Sequence, residues 1–290
     1  MNQIEITNLS KQYKNHVTAL KDISFQVESG VFGLLGHNGA GKTTLMKILS
    51  TIMQPTSGSV RIGGYDTKTQ GEKARRLIGY LPQELTMYPA LTVFDFVSYM
   101  AALKGVKGRE KVMEVLEQTD MVQYAGRRIG QLSGGMKRRV GIAQALVGEP
   151  RVLIVDEPTA GLDPEERVRF RGVLSRFAKD GNCVLLSTHI VEDVYQLCGK
   201  LAVLRKGTLC FGGSAAELLS KAAGKVKIVE IEKERELAEL QKKAVVLSVT
   251  YEHSGIRARI LDERGVFPVP PVSETLEDAY VYCMGGKKYE

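Results

Sequence analysis

The stretch that decides the fold is Gly36-His37-Asn38-Gly39-Ala40-Gly41-Lys42-Thr43-Thr44. It fits the pattern G-x-x-x-x-G-K-[ST], a loop in which glycines let the backbone curl and turn its N–H groups towards one anion. Lys42 adds a point charge for the outer phosphates of a polyphosphate, and the hydroxyl of Thr43 suits Mg²⁺. The stretch therefore predicts a phosphate-binding loop, whose other contributors are Gly36, His37, Asn38, Gly39, Ala40, Gly41 and Thr44.

The flanking sequence supports this prediction. Residues 31–35 form a short apolar run of the kind found in a buried strand, and Leu45, Ile48 and Leu49 recur at helical spacing within residues 42–50. A strand, a glycine loop and a helix in this order are what the pattern requires. The start of the helix also adds the positive end of its dipole to the loop.

Length and charge set the outline of the molecule. The 290 residues are enough for one large domain and a second, small one. The net charge is +7, and the basic excess lies in residues 1–220, because the remaining residues hold equal numbers of basic and acidic side chains. This excess suits a polyanionic nucleotide or a headgroup-lined surface, although an ordinary solvated face is the simpler explanation. It is too small to indicate nucleic acid, so no nucleic-acid partner is expected.

The composition favours a cytoplasmic protein. No apolar stretch approaches the roughly 20 residues that span a bilayer, and residues 1–5 lack the basic and apolar regions of a secretory signal. Cys183, Cys198, Cys210 and Cys283 are scattered without a C-x-x-C pair. They are therefore expected to be reduced, mostly buried thiols rather than disulfides or metal ligands.

A second strong pattern is the apolar run 152–155, which is followed by Asp156 and Glu157. Four apolar residues in succession indicate a strand buried on both faces of a parallel sheet, and α/β folds bind ligands at the ends of such strands. Asp156 is placed to hold Mg²⁺ directly or through water, and Glu157 is free to act on a water molecule. Two solvated acids in a turn are the weaker alternative after a phosphate-binding loop.

Three more residues stand beside predicted strands. Gln83 ends the strand predicted at 77–83, and His189 follows the strand predicted at 183–187, so both obey the placement rule that applies to Asp156. Gln83 can ligate Mg²⁺ or hold a water, and Tyr13, upstream of the glycine loop, can stack on an adenine ring. Each has an ordinary structural alternative: a solvated glutamine, a structural histidine and a packed tyrosine.

Residues 132–136 read Leu-Ser-Gly-Gly-Met and precede a basic helix predicted at about 137–147. Ser133 is a good helix cap, and Gly134 and Gly135 leave backbone N–H groups bare at a helix start, which makes a second potential anion site. An ordinary capped helix after a loop is the alternative. Helices predicted at 92–104 and 110–118 make this region a helical insertion between two halves of an α/β core.

The pattern changes beyond about residue 224. A strand at 225–231 and a charged helix at 232–241 are followed by alternating runs at 245–251 and 256–260, which predict a hairpin turning at Ser254 and Gly255. A final helix is predicted at about 273–284. We therefore predict a small α+β domain at residues 221–290, in which the sequence shows no catalytic constellation.

Taken together, the motifs of residues 1–220 resemble those of the ATP-binding subunit of an ABC transporter. Their order along the chain is the order of that family. They correspond to the aromatic residue (Tyr13), the Walker A loop (36–44), the Q-loop (Gln83), the signature (132–136), the Walker B strand with its two acids (Asp156 and Glu157), the D-loop (161–163) and the switch histidine (His189).

This resemblance implies an α/β fold, the P-loop NTPase of ABC type. Such a domain has a mixed sheet core, an antiparallel β subdomain and a helical subdomain, here at about 84–147, and the small C-terminal domain would follow it. Within the family, this chain resembles the branch that serves exporters of drugs, antimicrobial peptides or ions. The resemblance rests on the signature, the sequence Gly-Leu-Asp-Pro and the appended domain. Met136 stands where many members have glutamine and Gln144 where many have arginine, while Ser133, Gly134 and Gly135 are intact.

The resemblance also implies Mg²⁺-dependent ATP hydrolysis at an interface between two subunits. Thr43, Asp156 and Gln83 would hold Mg²⁺, Lys42 would stabilise the γ-phosphoryl group, and Glu157 and His189 would activate and orient the attacking water. The Ser133, Gly134 and Gly135 backbone of the partner subunit would close on the ATP.

Such a subunit works as a homodimer or heterodimer. It grips an integral-membrane permease on the cytoplasmic face of the membrane, and residues 84–90, with Met87 and Tyr88 expected to be exposed, are the predicted contact. The alternative is a soluble ABC-type ATPase that acts on ribosomes or DNA. Ribosome-type members usually carry two ATPase halves in one chain and DNA-repair members carry long coiled coils, and this sequence has neither.

Overall fold

The computed structural model describes residues 2–252 and 255–285, which form two compact units. The first unit comprises the chain up to Gly199 together with Leu204–Leu209, and the second comprises Lys200–Val203 and the chain from Cys210 onward. The boundary at residue 220 between the two predicted domains stays a prediction, as do the limits of the helical subdomain.

The chain alternates strands and helices through most of its length. The strands are β1 (Ile4–Gln12), β2 (Thr18–Val27), β3 (Gly30–Leu35), β4 (Ser57–Ile62), β5 (Tyr65–Asp66), β6 (Ile78–Leu81), β7 (Val152–Asp156), β8 (Cys183–Thr188), β9 (Lys200–Arg205), β10 (Thr208–Ser214), β11 (Val226–Ile231), β12 (Val245–Glu252) and β13 (Gly255–Leu261). The helices are α1 (Lys42–Leu49), α2 (Gly71–Arg76), α3 (Val93–Leu103), α4 (Arg109–Gln118), α5 (Gly134–Leu146), α6 (Pro164–Lys179), α7 (Val191–Leu197), α8 (Ala215–Ala222), α9 (Glu234–Lys243) and α10 (Leu276–Cys283).

Four parallel strands of the first unit carry the site. They pair in the order β3-β8-β7-β6, and their apolar runs are buried on both faces, as continuous hydrophobic strands require. At their carboxyl ends Leu35 lies opposite Thr188, and Asp156 lies opposite Ser187. The segments that leave these strands therefore begin at one common edge of the sheet.

The first unit also contains an antiparallel sheet with the order β2-β1-β4-β5. Ile4 pairs with both Val27 and Ile62, and these three side chains are buried on one face. The strand β1 runs on to Gln12, beyond the alternating residues that predicted it, and Tyr13 follows directly. The mixed core with an antiparallel subdomain confirms the predicted fold class.

The predicted helical insertion is present, with one shifted boundary. Thr92 caps α3 by accepting a hydrogen bond from the Asp95 N–H at 3.0 Å, as its position before an apolar stripe predicts. The helix α5 begins at Gly134, three residues before the predicted start at about 137. The reason is Ser133, whose hydroxyl accepts from the Met136 N–H at 3.2 Å and so nucleates the first turn across two glycines.

The second unit contains a three-stranded antiparallel sheet with the order β11-β13-β12. Leu240 of α9 packs with Val246, Ala258 and Ile260 of that sheet in a small apolar core. The predicted strands, charged helix and hairpin are all present, although Ser254 of the predicted turn lies outside the described residues. Over the described ranges, no helix combines the length and apolar character needed to cross a membrane.

Candidate functional site

The glycine loop connects β3 to α1 at the carboxyl edge of the parallel sheet. Gly41 caps α1 in the left-handed region with φ 105°, and a Cβ there would come within 2.6 Å of the Ala19 carbonyl oxygen. At Gly36 a Cβ would lie 2.8 Å from the Leu204 carbonyl oxygen. Both positions therefore require glycine, one for its backbone angle and its neighbours and the other for close approach alone.

Lys42 directs its ammonium group back across this loop. Its Nζ donates to the carbonyl oxygens of Gly36 at 2.5 Å and of His37 at 3.2 Å, and it lies 3.0 Å from Oε1 of Glu157. The side chain is almost completely buried. A buried cation held at the mouth of a loop of backbone N–H groups is suited to binding a phosphate chain.

Asp156 ends β7 and is fully buried. Burial raises the pKa of its carboxyl group, and hydrogen bonding from the hydroxyls of Ser187 and Thr43 opposes that rise. Ser187 donates to Oδ1, whereas Oδ2 has no hydrogen-bond partner among the described residues. A buried carboxylate oxygen without a donor, next to the Thr43 hydroxyl, is the chemistry that a hard cation such as Mg²⁺ uses.

Glu157 follows directly and takes a left-handed backbone conformation with φ 45°, which is unusual for a residue with a side chain. Its N–H donates to the Ser187 carbonyl oxygen at 3.0 Å. Its Oε1 pairs with Lys42, and its Oε2 lies 3.1 Å from Nδ1 of His189. The carboxylate is buried while the His189 side chain is 42% exposed, so the pair leads from the buried loop to the surface.

Tyr13 and Gln83 flank this centre in different ways. The Tyr13 hydroxyl lies 3.1 Å from Oγ1 of Thr44, so the partly exposed ring stands at the edge of the glycine loop. Gln83 is exposed, and Pro82 separates it from the end of β6, which stops at Leu81 rather than reaching the predicted residue 83. In the described part of the chain its side chain makes no hydrogen bond to Thr43 or Asp156.

The signature residues make a separate cluster. Gly134 has open space where a side chain would stand, whereas a Cβ on Gly135 would come within 2.6 Å of the Glu166 carboxylate of α6. Ser133 bonds within its own helix. The hydrogen bonds and ion pairs of the described residues join neither Ser133 nor these glycines to residues 36–44, so one chain holds two distinct helix starts suited to anions.

Several contributing residues have weak signals in the sequence. Ser187 is a polar residue near the end of a buried strand, so the placement rule used for Asp156 points to it as well. Thr159 donates to Oδ2 of the buried Asp193 at 2.5 Å, and nothing in the sequence pairs these two residues. Arg138, whose guanidinium reaches the Gln83 carbonyl oxygen, stands in a basic helix between the exposed Lys137 and the buried Arg139, and nothing in the sequence distinguishes it from them.

The parallel sheet, the glycine loop and the acidic strand end define a P-loop nucleoside triphosphatase. A family described as ABC transporter matches residues 20–160. The Bacillus subtilis protein named Uncharacterized ABC transporter ATP-binding protein YxlF is 37% identical over 254 residues, which cover 86% of this chain and 83% of that protein. The Doxorubicin resistance ATP-binding protein DrrA of Mycobacterium tuberculosis is 38% identical over 224 residues, which cover 76% of this chain and 68% of that protein.

A solved structure gives the same assignment. The ATP-binding cassette MJ0796, a dimer in a post-hydrolysis state bound to ADP and Pi, superposes with a TM-score of 0.66 and 25% identity, over 73% of this chain and 98% of that chain. The chain belongs to the family of ABC transporter ATP-binding proteins. It is therefore an ATP-binding, ATP-hydrolysing subunit that energises a membrane permease, as the motifs predicted.

Proposed function

We propose that this subunit drives an exporter, and that it hydrolyses ATP in a site shared between two ATPase subunits. The contact of Glu157 with both Lys42 and His189, at the sheet edge beside the glycine loop, is the observation that supports the hydrolytic part of the proposal. The separation of the signature residues from the glycine loop within one chain supports a shared site. The name of the relative DrrA, which refers to doxorubicin resistance, supports the exporter assignment. The transported compound would be recognised by the permease rather than by this chain.

Binding of ATP begins at the glycine loop. Backbone N–H groups between Gly36 and Thr44 hold the phosphate chain, and Lys42 stabilises charge on the γ-phosphoryl group. Tyr13 stacks on the adenine ring, a role supported by its position against Thr44. His37, Asn38 and Ala40 contribute main-chain groups to the same loop.

Mg²⁺ would be held by the Thr43 hydroxyl and the Asp156 carboxylate, whose unpartnered Oδ2 fits a cation. Gln83 would join this set only after its segment moves inward, since its side chain is exposed in this structure. When bound, the cation neutralises charge on the phosphate oxygens. Ser187 orients the Asp156 carboxylate by donating to its other oxygen.

Glu157 acts as the general base on the attacking water. Its main-chain N–H donates to the Ser187 carbonyl oxygen, and its carboxylate lies 3.1 Å from Nδ1 of His189. His189 is exposed enough to reach the γ-phosphate and orient the water beside it. The donors at the start of α5 in a second subunit, from Ser133, Gly134 and Gly135, complete the site, which makes the active form a homodimer or a heterodimer.

Glu157→Gln tests this assignment, and Glu192→Gln on the exposed side of α7 is its matched control. Loss of a general base lowers the rate by about 10²–10⁴-fold, so Glu157→Gln should bind ATP without appreciable hydrolysis. Its mass in solution is measured with and without ATP and Mg²⁺. A mass that doubles only when both are present indicates a homodimer, and a monomer mass with ATP bound indicates that the partner is a different ATPase subunit. Hydrolysis at the wild-type rate by Glu157→Gln would overturn the role of Glu157.

The permease contact is proposed at residues 84–90, on the cytoplasmic face of the membrane. Tyr88 is 62% exposed, as expected, but Met87 is half buried near Gly141 of α5, so its predicted exposure is wrong. Tyr88→Lys should reduce recovery of the subunit with the membrane fraction while leaving its basal ATPase activity unchanged. Unchanged membrane recovery would argue against this contact, and recovery with ribosomes would favour the soluble ABC-type ATPase.

A further inference from the structure

Arg138 links two motifs that lie far apart in the sequence. It stands in the second turn of α5, and its Nη1 donates to the carbonyl oxygens of Gln83 at 2.5 Å and of Pro82 at 3.4 Å. Its side chain is partly buried, whereas the neighbouring Lys137 is exposed and has no side-chain partner in the described ranges. A guanidinium that bonds main-chain carbonyls fixes a backbone position rather than a side chain.

A second bond fixes the same helix to the same segment. Nε2 of Gln144 donates to the Tyr80 carbonyl oxygen at 2.9 Å. The six residue steps from 138 to 144 span about 9 Å of helix, and the three residue steps from 80 to 83 span at most about 10 Å of chain. The two bonds therefore hold α5 antiparallel to β6 and its extension, in matching register.

Burial and a nearby charge both affect the ionisation of Arg138. Burial lowers the pKa of the Arg138 guanidinium, and the negative charge of Asp156 opposes that effect. The same two causes, burial first and the Asp156 charge second, raise the pKa of Tyr80 to about 12. The negative charge of Asp156, at the end of β7, therefore shifts the pKa of both Arg138 and Tyr80.

We propose that Arg138 is a positioning residue that transmits displacement of Gln83 to the first turn of α5. When Gln83 moves towards the nucleotide, its carbonyl oxygen moves with it, and the guanidinium carries that movement to Ser133, Gly134 and Gly135. Nucleotide binding in the site of one subunit thereby sets the position of the Ser133, Gly134 and Gly135 donors that this subunit offers to its partner. This inference rests on the proposed roles of Gln83 and the signature residues.

Three variants of the full chain separate this role from a general loss of charge. Arg138→Met removes the donors, Arg138→Lys keeps one cationic donor, and Lys137→Met removes the same charge one residue away. Deuterium exchange of residues 82–90 and 131–137 is measured with a non-hydrolysable ATP analogue and Mg²⁺, and normalised to the intrinsic rates of each variant. Steady-state ATP hydrolysis is measured in parallel.

In wild type and Lys137→Met, the analogue should slow exchange in both segments. In Arg138→Met the analogue should slow exchange only in residues 82–90. The kcat of this variant should fall about tenfold or more, while its KM changes less than about twofold. Arg138→Lys should recover most of kcat. A joint response of both segments in Arg138→Met would overturn the proposal, and so would equal losses of kcat in Arg138→Met and Lys137→Met. Exchange is read without hydrolysis, so a wild-type rate in Glu157→Gln would refute the proposed base without deciding the role of Arg138.

Discussion

Replacing Thr159 with valine tests a buried link behind the site. Thr159 lies two residues after Glu157, and its hydroxyl donates to Oδ2 of Asp193 at 2.5 Å. Asp193 lies four residues after His189 and is 1% exposed. Because Glu157 and His189 touch each other directly, this bond is a second connection between the same two chain segments.

The magnitude follows from the charge and burial of the acceptor. Valine has nearly the shape of threonine, so Thr159→Val leaves no cavity but removes a hydrogen bond to a carboxylate. In this variant Asp193 keeps its ion pair with Arg171, whose Nη1 lies 3.6 Å from Oδ1 of Asp193. Hydrogen bonds to charged groups contribute about 1.5–3 kcal/mol, so the free energy of unfolding should fall by about 2 kcal/mol and Tm by about 4–8 °C.

The assay is denaturant and thermal unfolding followed by circular dichroism. Thr7→Val, at an exposed position of β1, is the matched control and should change stability by less than about 0.5 kcal/mol. In the double variant Thr159→Val/Asp193→Ala, the two losses should be clearly less than additive, because each single change removes the same hydrogen bond. Additive losses, or a Thr159→Val change as small as that of the control, would refute the reasoning.

Two further predictions concern ionisation and backbone geometry. Burial raises the pKa of Asp262, but the Phe267 N–H and the Lys227 ammonium outweigh it and lower that pKa from 3.8 to about 2. The lowered pKa contributes about 2 kcal/mol of stability that is present above pH 4 and lost as the pH falls towards 2. The free energy of unfolding should therefore fall less steeply over this pH range in Asp262→Asn than in the wild type. An unchanged pH dependence would contradict the prediction. Gly41 has φ 105°, and a Cβ there would meet a close neighbour, whereas Gly39 has φ 79° and a Cβ there meets open space. Gly41→Ala should therefore lower ATP affinity far more than Gly39→Ala. Equal losses of affinity would contradict the steric argument.

The sequence predicts the elements whose signal is repeated along the chain. The runs that became β7 and β8 are apolar at nearly every position, because both faces of each strand are covered. The helix α2 has Ala74 as its buried residue and so lacks periodicity. The helix α8 begins with the capping pattern of Ser214 and Glu217, which is a local signal that the sequence does carry.

The residues at strand ends were predictable, but their contacts were not. The placement rule brings Asp156 and His189 to one edge, since parallel strands end together. It does not give the left-handed backbone of Glu157, which turns the carboxylate between Lys42 and His189. Nor does it show that the Gln83 side chain lies exposed, because that depends on Pro82 ending the strand and on Arg138 holding the main chain.

The contacts of Lys42 suggest how the proposed ATP binding and the proposed catalysis would be connected. An ammonium group has three donors, and here three acceptors share them: the carbonyl oxygens of Gly36 and His37, and the carboxylate of Glu157. A phosphate oxygen that binds Lys42 must therefore replace one of them, and Glu157 is the acceptor whose side chain can rotate away without moving the loop. Under the proposed mechanism, binding of ATP would release the carboxylate from Lys42 while leaving it near His189, and the carboxylate would then be available to accept a proton. Glu157→Gln lacks this competing charge, so it should bind ATP at least as tightly as the wild type.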